Sequence, residues 1–241
     1  MTVLSKSMLA ARTMTKTVPI FNPAANVLYH IAKTKMDREP CFNMTKLCAQ
    51  DDEHFKGLGC NVGDATPYFD QYLRDALRYS YSMVAYDAEV PVGMSLVTVR
   101  NREKELDGMN TLGAAPARTN YTPLDDVLKH CQDIFWKSNP TVYRVWMTSM
   151  LYVLPDYRRF GVSSMMLSLQ YEKLRELVKK GENVDGMISI PTSNASKQQF
   201  LKLGYTEIYT APPSIYKLTN GQQWQSVDPE HPTVSLMFLK L

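Results

Sequence analysis

Cysteine is scarce: Cys41, Cys48, Cys60 and Cys131 are the four in 241 residues, and no two form a CxxC pair. That excludes a disulfide framework and the common zinc spacings, and it predicts free thiols in a reducing compartment. Long apolar runs are also lacking, since Arg, Asp or Pro interrupts every candidate well short of the roughly 18 residues a membrane helix needs. No membrane span is expected. Charge of one sign is missing too, because 27 Lys+Arg against 24 Asp+Glu leave a formal net charge of +3. Nothing announces a nucleic-acid-binding face. His30, His54, His130 and His231 are scattered without ligand spacing, so no metal is expected.

What is present is a chain with 44% hydrophobic residues, enough for a packed core. The first acidic residue is Asp37, and the few early cations fall short of a targeting segment. Residues 1–14 read as a loose cytoplasmic tail, and residues 15–241 as one domain, expected to be monomeric. Along that domain, 16–21 reads as a strand. Val27, Leu28 and Ile31 stripe a helix running to Lys35, which Pro40 ends unless it opens the next one. Helices are expected over 41–56 and 67–79, with Gly57, Gly59 and Gly63 marking the loop between them. A hairpin follows over 81–101, turning at Glu89-Val90-Pro91.

Residues 102–122 have loop composition and are the best place for a mobile lid or a plain insertion. A helix over 124–138, a strand over 142–154 and a strongly amphipathic helix over 161–180 come next. They are followed by a strand (186–191), a helix (193–203), a strand (205–210), a polar loop (211–232) and a last strand (233–241). This order describes an α/β domain: one mixed sheet with helices on both faces.

The informative stretch is Leu151-Tyr152-Val153-Leu154-Pro155-Asp156-Tyr157-Arg158-Arg159-Phe160-Gly161-Val162-Ser163-Ser164, a strand, a proline break, an arginine turn and a helix start with small residues. A helix N-terminus offers unpaired N–H groups and a partial positive charge, so small residues there let a phosphate reach the main chain. The residue types alone fit equally well an ordinary helix start beside two solvated arginines.

This turn resembles the acyl-CoA-binding segment of the GCN5-related N-acetyltransferase (GNAT) superfamily, Arg-x-x-Gly-x-Gly/Ala. Arg158, Gly161 and Ser163 match it, with Ser in the place of Gly or Ala. A second superfamily signal follows in order, a strand and a helix closing on Leu203-Gly204-Tyr205. Within the superfamily the chain is similar to the invertebrate arylalkylamine N-acyltransferases, the dopamine N-acetyltransferase-like group. The shared features are Asp37-Arg38-Glu39-Pro40 against that group's Asp-x-Glu-Pro or Asp-Glu-Pro element, the hydroxyls Thr192 and Ser196, and the closing strand after His231. The resemblance implies a mostly antiparallel sheet splayed at its middle strands. Arg158, Arg159, Phe160, Gly161, Val162, Ser163 and Ser164 would hold the pyrophosphate of acetyl-CoA or another acyl-CoA, and the main chain of Leu151, Tyr152 and Val153 its pantetheine arm.

It further implies transfer of an acetyl or longer acyl group to a small arylalkylamine such as dopamine, tyramine, octopamine, tryptamine or serotonin, by direct attack in a ternary complex. Glu39 would be the general base, with Pro40 beside the substrate. Without the resemblance, Glu39 reads as a helix-end carboxylate paired with Arg38 or Lys35. The Tyr with which many superfamily members protonate the leaving thiolate falls at Phe200, so Ser196 first, or else Thr192, Ser193 or water, would have to serve, unless the thiolate leaves unassisted. Equally, Ser193 and Ser196 fit a helix cap and its first turn. The rival readings are the same fold acting on a polyamine, an amino acid or a protein N-terminus, and a silent acyl-CoA-binding module.

Overall fold

The computed structural model describes residues 26–32, 36–106, 117–212, 217–218, 220–224 and 233–241. The strand expected over 16–21, the middle of the proposed lid, and most of the loop before the last strand with His231 lie outside them. Seven strands form one sheet in the order β1-β2-β3-β4-β5-β7-β6. They are β1 (Val27–Ile31), β2 (Met83–Asp87), β3 (Val90–Asn101), β4 (Arg144–Val153), β5 (Gly186–Ser189), β6 (Thr206–Ala211) and β7 (Val234–Lys240). Every pairing is antiparallel except β4 with β5. A parallel neighbour requires a crossover, and the amphipathic helix α6 (Val162–Lys179) supplies it.

On one face lie α1 (Arg38–Asp51), α2 (Glu53–Gly57), α3 (Val62–Leu77) and α5 (Thr122–Ser138). A short α4 (Arg102–Leu106) leaves the end of β3. Met44, Leu73, Phe69, Phe135 and Trp136 are buried there against Met94, Leu96 and Phe238 of the sheet. On the other face α6 and α7 (Asn194–Lys202) bury Met166, Leu167, Leu174 and Phe200 against Trp146, Val97 and Met187. Helices on both faces of a mixed, mostly antiparallel sheet are what the sequence predicts.

The first described segment is a correction. Val27–Ile31 is an edge strand rather than a helix, paired in register with β2 from Val27↔Asp87 to Ile31↔Met83. A short apolar run does not distinguish the two periodicities, and VLYHI is rich in residues that favour the pleat. The helix expected over 41–56 is broken at Asp52, whose backbone turns extended (ψ 125°) while its side chain accepts from the Phe55 N–H at 2.9 Å. An aspartate that caps the following turn competes with helix continuation. Further on, α3 begins at Val62, five residues earlier than expected. Asn61 and Asp64 form a reciprocal capping box there, and Gly63 sits inside the first turn.

A cleft between parted strands

Strands β4 and β5 pair over only four positions, Val145↔Gly186 to Thr148↔Ser189. Beyond them β4 continues to Val153 with β3 on one side and, among the described residues, no strand on the other. At the parting Ser149 is an extra residue, since Leu96 faces Met150 while Val97 faces Thr148. A bulge shifts the side-chain phase by one. Trp146 accordingly packs toward α6 and α7, whereas Met150 and Tyr152 face α1 and α3. The splay implied by the resemblance is therefore present, and the bulge sits at its vertex.

A cavity of about 110 Å³ opens at this vertex. Thr148, Ser149, Met150 and Leu151 line it from β4, Ser189, Ile190, Pro191 and Thr192 from β5 and the turn after it, and Ser196 and Phe200 from α7. Phe55, Phe69, Tyr121, Leu124 and Leu128 close the far side, and Cys48, Ala49 and Asp52 come from the end of α1 and the link to α2. The lining is apolar and aromatic with one described carboxylate, Asp52. Its Oδ1 accepts from the Phe55 N–H and its Oδ2 from the Thr192 hydroxyl. Burial, then the charges of Asp52 and Asp51, push the neighbouring Cys48 thiol up to about 12, which keeps it protonated and unreactive. All four cysteines are free.

Asp51 faces the other way. Its Oδ2 accepts from the Tyr152 hydroxyl at 2.7 Å and the Arg158 guanidinium at 2.6 Å. Burial alone would raise the Asp51 pKa, but these two bonds and the arginine charge outweigh it and hold the carboxyl below its ordinary value. Arg158 also donates to the Val153 carbonyl at 2.9 Å and lies 5.4 Å from the Tyr152 ring centre. The Arg158 side chain, expected at a phosphate, is thus paired with the end of α1.

The rest of that turn suits an anion through its backbone. Arg159 (φ 68°) and Gly161 (φ 84°) adopt the left-handed conformation, which is uncommon for a residue with a Cβ. No side chain caps α6 and its first turn carries no acid, so the N–H groups of Val162, Ser163 and Ser164 keep their donor capacity. Arg159, Phe160, Gly161 and Ser164 are exposed around them.

The remaining predicted residues divide. Thr192 and Ser196 line the cavity, and the Ser196 Oγ accepts from the Ser193 hydroxyl at 3.0 Å. Ser193 also caps α7, accepting from the Ser196 N–H at 3.2 Å. Glu39 and Pro40 are not in the cavity. Both sit in the first turn of α1, Glu39 exposed, at the end opposite to Asp52. Thirteen residues of helix separate the two carboxylates by roughly 20 Å at 1.5 Å per residue. Glu39 and Pro40, expected as general base and substrate contact, therefore lie away from this cavity. The Asp-Glu form of the same element also fits Asp52-Glu53, with His54 where Pro is usual; that match puts the glutamate at Glu53, which pairs with Lys56 at 2.9 Å, while the residue lining the cavity is Asp52. Phe69 of α3 reaches the cavity. Tyr68 and Tyr72 instead bond Thr122 (2.7 Å) and Asp125 (2.5 Å).

With that geometry in place, solved structures can be compared. A mosquito arylalkylamine N-acetyltransferase (like 5b) superposes with a TM-score of 0.71 at 14% identity, covering 89% of this chain and 100% of the other. An agmatine N-acetyltransferase in its apo form gives 0.69 at 15% identity, over 90% and 100%. A polyamine N-acetyltransferase of Drosophila melanogaster, which forms N-acetylagmatine, gives 0.67 at 13%, over 89% and 100%. The chain has the GNAT fold. No protein-family model matches the sequence, and no curated protein does. Within the GNAT fold, this chain keeps the parted middle strands and the uncapped helix after the arginine turn, and carries a phenylalanine at position 200.

Proposed function

We propose that this chain is an acyl-CoA-dependent N-acyltransferase acting on a small arylalkylamine, with Asp52 in the part the sequence assigned to Glu39. The observation that carries the reading is the position of Asp52, at the vertex of the parted strands and facing an aromatic wall. The amide donors at the start of α6 suit a diphosphate, and the unpaired edge of β4 suits the amide-bearing pantetheine arm. Together they direct the thioester of the acyl-CoA substrate toward the bulge at Ser149.

An alkylammonium has an ordinary pKa of about 10 and must lose a proton before its nitrogen can attack. Asp52 pairs with the ammonium and accepts that proton, directly or through water, and Thr192 keeps the carboxylate aimed. Main-chain N–H groups at the bulge polarise the thioester carbonyl. Phe55, Phe69, Tyr121 and Phe200 surround the ring and exclude water. A polyamine or agmatine carries a second cationic end, and the described lining offers it no second carboxylate. That favours the arylalkylamine.

The test combines an amine panel with two variants. Tyramine, dopamine and tryptamine should turn over with acetyl-CoA ahead of spermidine and agmatine. Asp52→Asn should lower kcat by roughly 10²-fold or more, the range of general-base catalysis. Glu39→Gln should stay within about twofold, since that side chain is exposed and remote. Turnover confined to spermidine or agmatine would overturn the choice of amine, and an active Asp52→Asn would overturn the base. Coenzyme binding without turnover of any amine would leave a silent binding module.

A further inference from the structure

Thr148 is the last β4 residue paired with β5, at the vertex itself. Its side chain lines the cavity and is 4% exposed, yet its Oγ1 has no hydrogen-bond partner among the described residues. The other hydroxyls nearby are engaged: Ser149 with Thr98 at 2.8 Å, Ser189 with the Thr148 carbonyl at 3.4 Å, Thr192 with Asp52, and Ser193 with Ser196. A buried hydroxyl left unpaired costs free energy and calls for an explanation.

The bulge at Ser149 leaves Thr148 in phase with Trp146, on the face of the sheet covered by α6 and α7. Phe200, where many members of the superfamily have the tyrosine acid, lines the cavity from that same side. Its ring meets Tyr205 edge-on with centroids 5.0 Å apart. Burial raises the Tyr205 pKa, and the Thr148 hydroxyl beside its phenol lowers it only in part.

Resting on the acyltransferase reading above, we propose that Thr148 is a catalytic hydrogen-bond donor to the leaving sulfur, in the place that Phe200 leaves without a phenol. As the amine nitrogen bonds to the acyl carbon, the C–S bond breaks and its electron pair stays on sulfur. Thr148 donates its hydrogen bond to that pair and keeps its own proton. The sulfur is protonated afterwards from solvent, and the proton lost by nitrogen leaves through Asp52.

The experiment has two readouts. The first is the titration of the thiol of bound coenzyme A, followed by thiolate absorbance in the ultraviolet. The protein's own thiols, pushed up to about 12, stay out of that window. Thr148→Val should raise the bound thiol pKa by roughly one unit, and should lower kcat with acetyl-CoA about 10- to 100-fold, as for a hydrogen bond to a charged group. Thr148→Ser should restore both, and Thr148→Ala should repeat the loss if the valine variant fails to fold. Should either readout stay at the wild-type value in a folded, hydroxyl-free variant, the proposal is overturned while the acyltransferase reading survives. If wild type itself binds no coenzyme A, both fall together.

Discussion

Two adjacent carboxylates at the end of α1 take opposite tasks because their surroundings differ. Asp52 faces the cavity with its oxygens on a backbone N–H and the Thr192 hydroxyl. Asp51 faces Tyr152 and Arg158, tying α1 to the arginine turn across 107 residues of sequence. Because folding lowers the Asp51 pKa, its ionised form stabilises the native state. That contribution is present above the ordinary aspartate pKa and is lost as pH falls through the folded value. Asp51→Asn should therefore melt lower than wild type at pH 7, with the gap closing as pH falls through the lowered folded value, in thermal unfolding followed by circular dichroism. The loss should be small, since the two side chains are 40% and 46% exposed and water screens the pair. A gap that persists unchanged in acid would show that the ion pair is not its source.

Among elements, the short β4–β5 pairing determines the most. Four rungs hold the sheet together, and everything beyond them is cleft. Gly186 starts β5 opposite Val145, and a Cβ there would come within 2.3 Å of the Leu239 carbonyl oxygen and 2.7 Å of the Phe238 ring. Both neighbours belong to β7, packed on the other side of β5, so neither yields cheaply. Gly186→Ala should cost at least the roughly 1–3 kcal/mol of an overpacked core, seen as a lower urea midpoint. An unchanged midpoint would mean that β7 can shift away. The break between α1 and α2 is the other decisive feature, since one continuous helix would carry Asp52 past the cavity. Sequence periodicity ran through that break because an N-capping aspartate in mid-helix looks like any solvated one until its partner N–H is seen.

For the whole molecule, ligand binding and stability are linked: whatever binds only the folded chain raises its melting temperature. Acetyl-CoA at about 100 times its Kd should add about 2.7 kcal/mol, or roughly 5–10 °C for a domain of this size, measured by differential scanning fluorimetry. No shift with acetyl-CoA would remove the coenzyme from the account. On the proposed function the ligand would join parts that lie far apart in sequence: the start of α6 would hold one end, with Asp52, from more than a hundred residues earlier, at the other.

The features that local sequence determined are those that depend on neighbours along the chain. Gly161 before small residues opens α6 as an anion-ready helix, Pro155 ends β4, and the order of strands and helices specifies a mixed sheet covered on both faces. Tertiary structure decided which carboxylate enters the cavity. Asp37-Arg38-Glu39-Pro40 and Asp51-Asp52-Glu53 are both acidic and both border a helix end, and only packing makes them unequal. Asp52 meets Thr192 across 140 residues, while Glu39 is left at the far end of a helix some 20 Å long. The same holds for Thr148, an ordinary strand threonine until a bulge one residue later and the loss of its neighbouring strand leave its hydroxyl buried and unpaired. Pairing partners, and therefore unpaired groups, are properties of the folded chain.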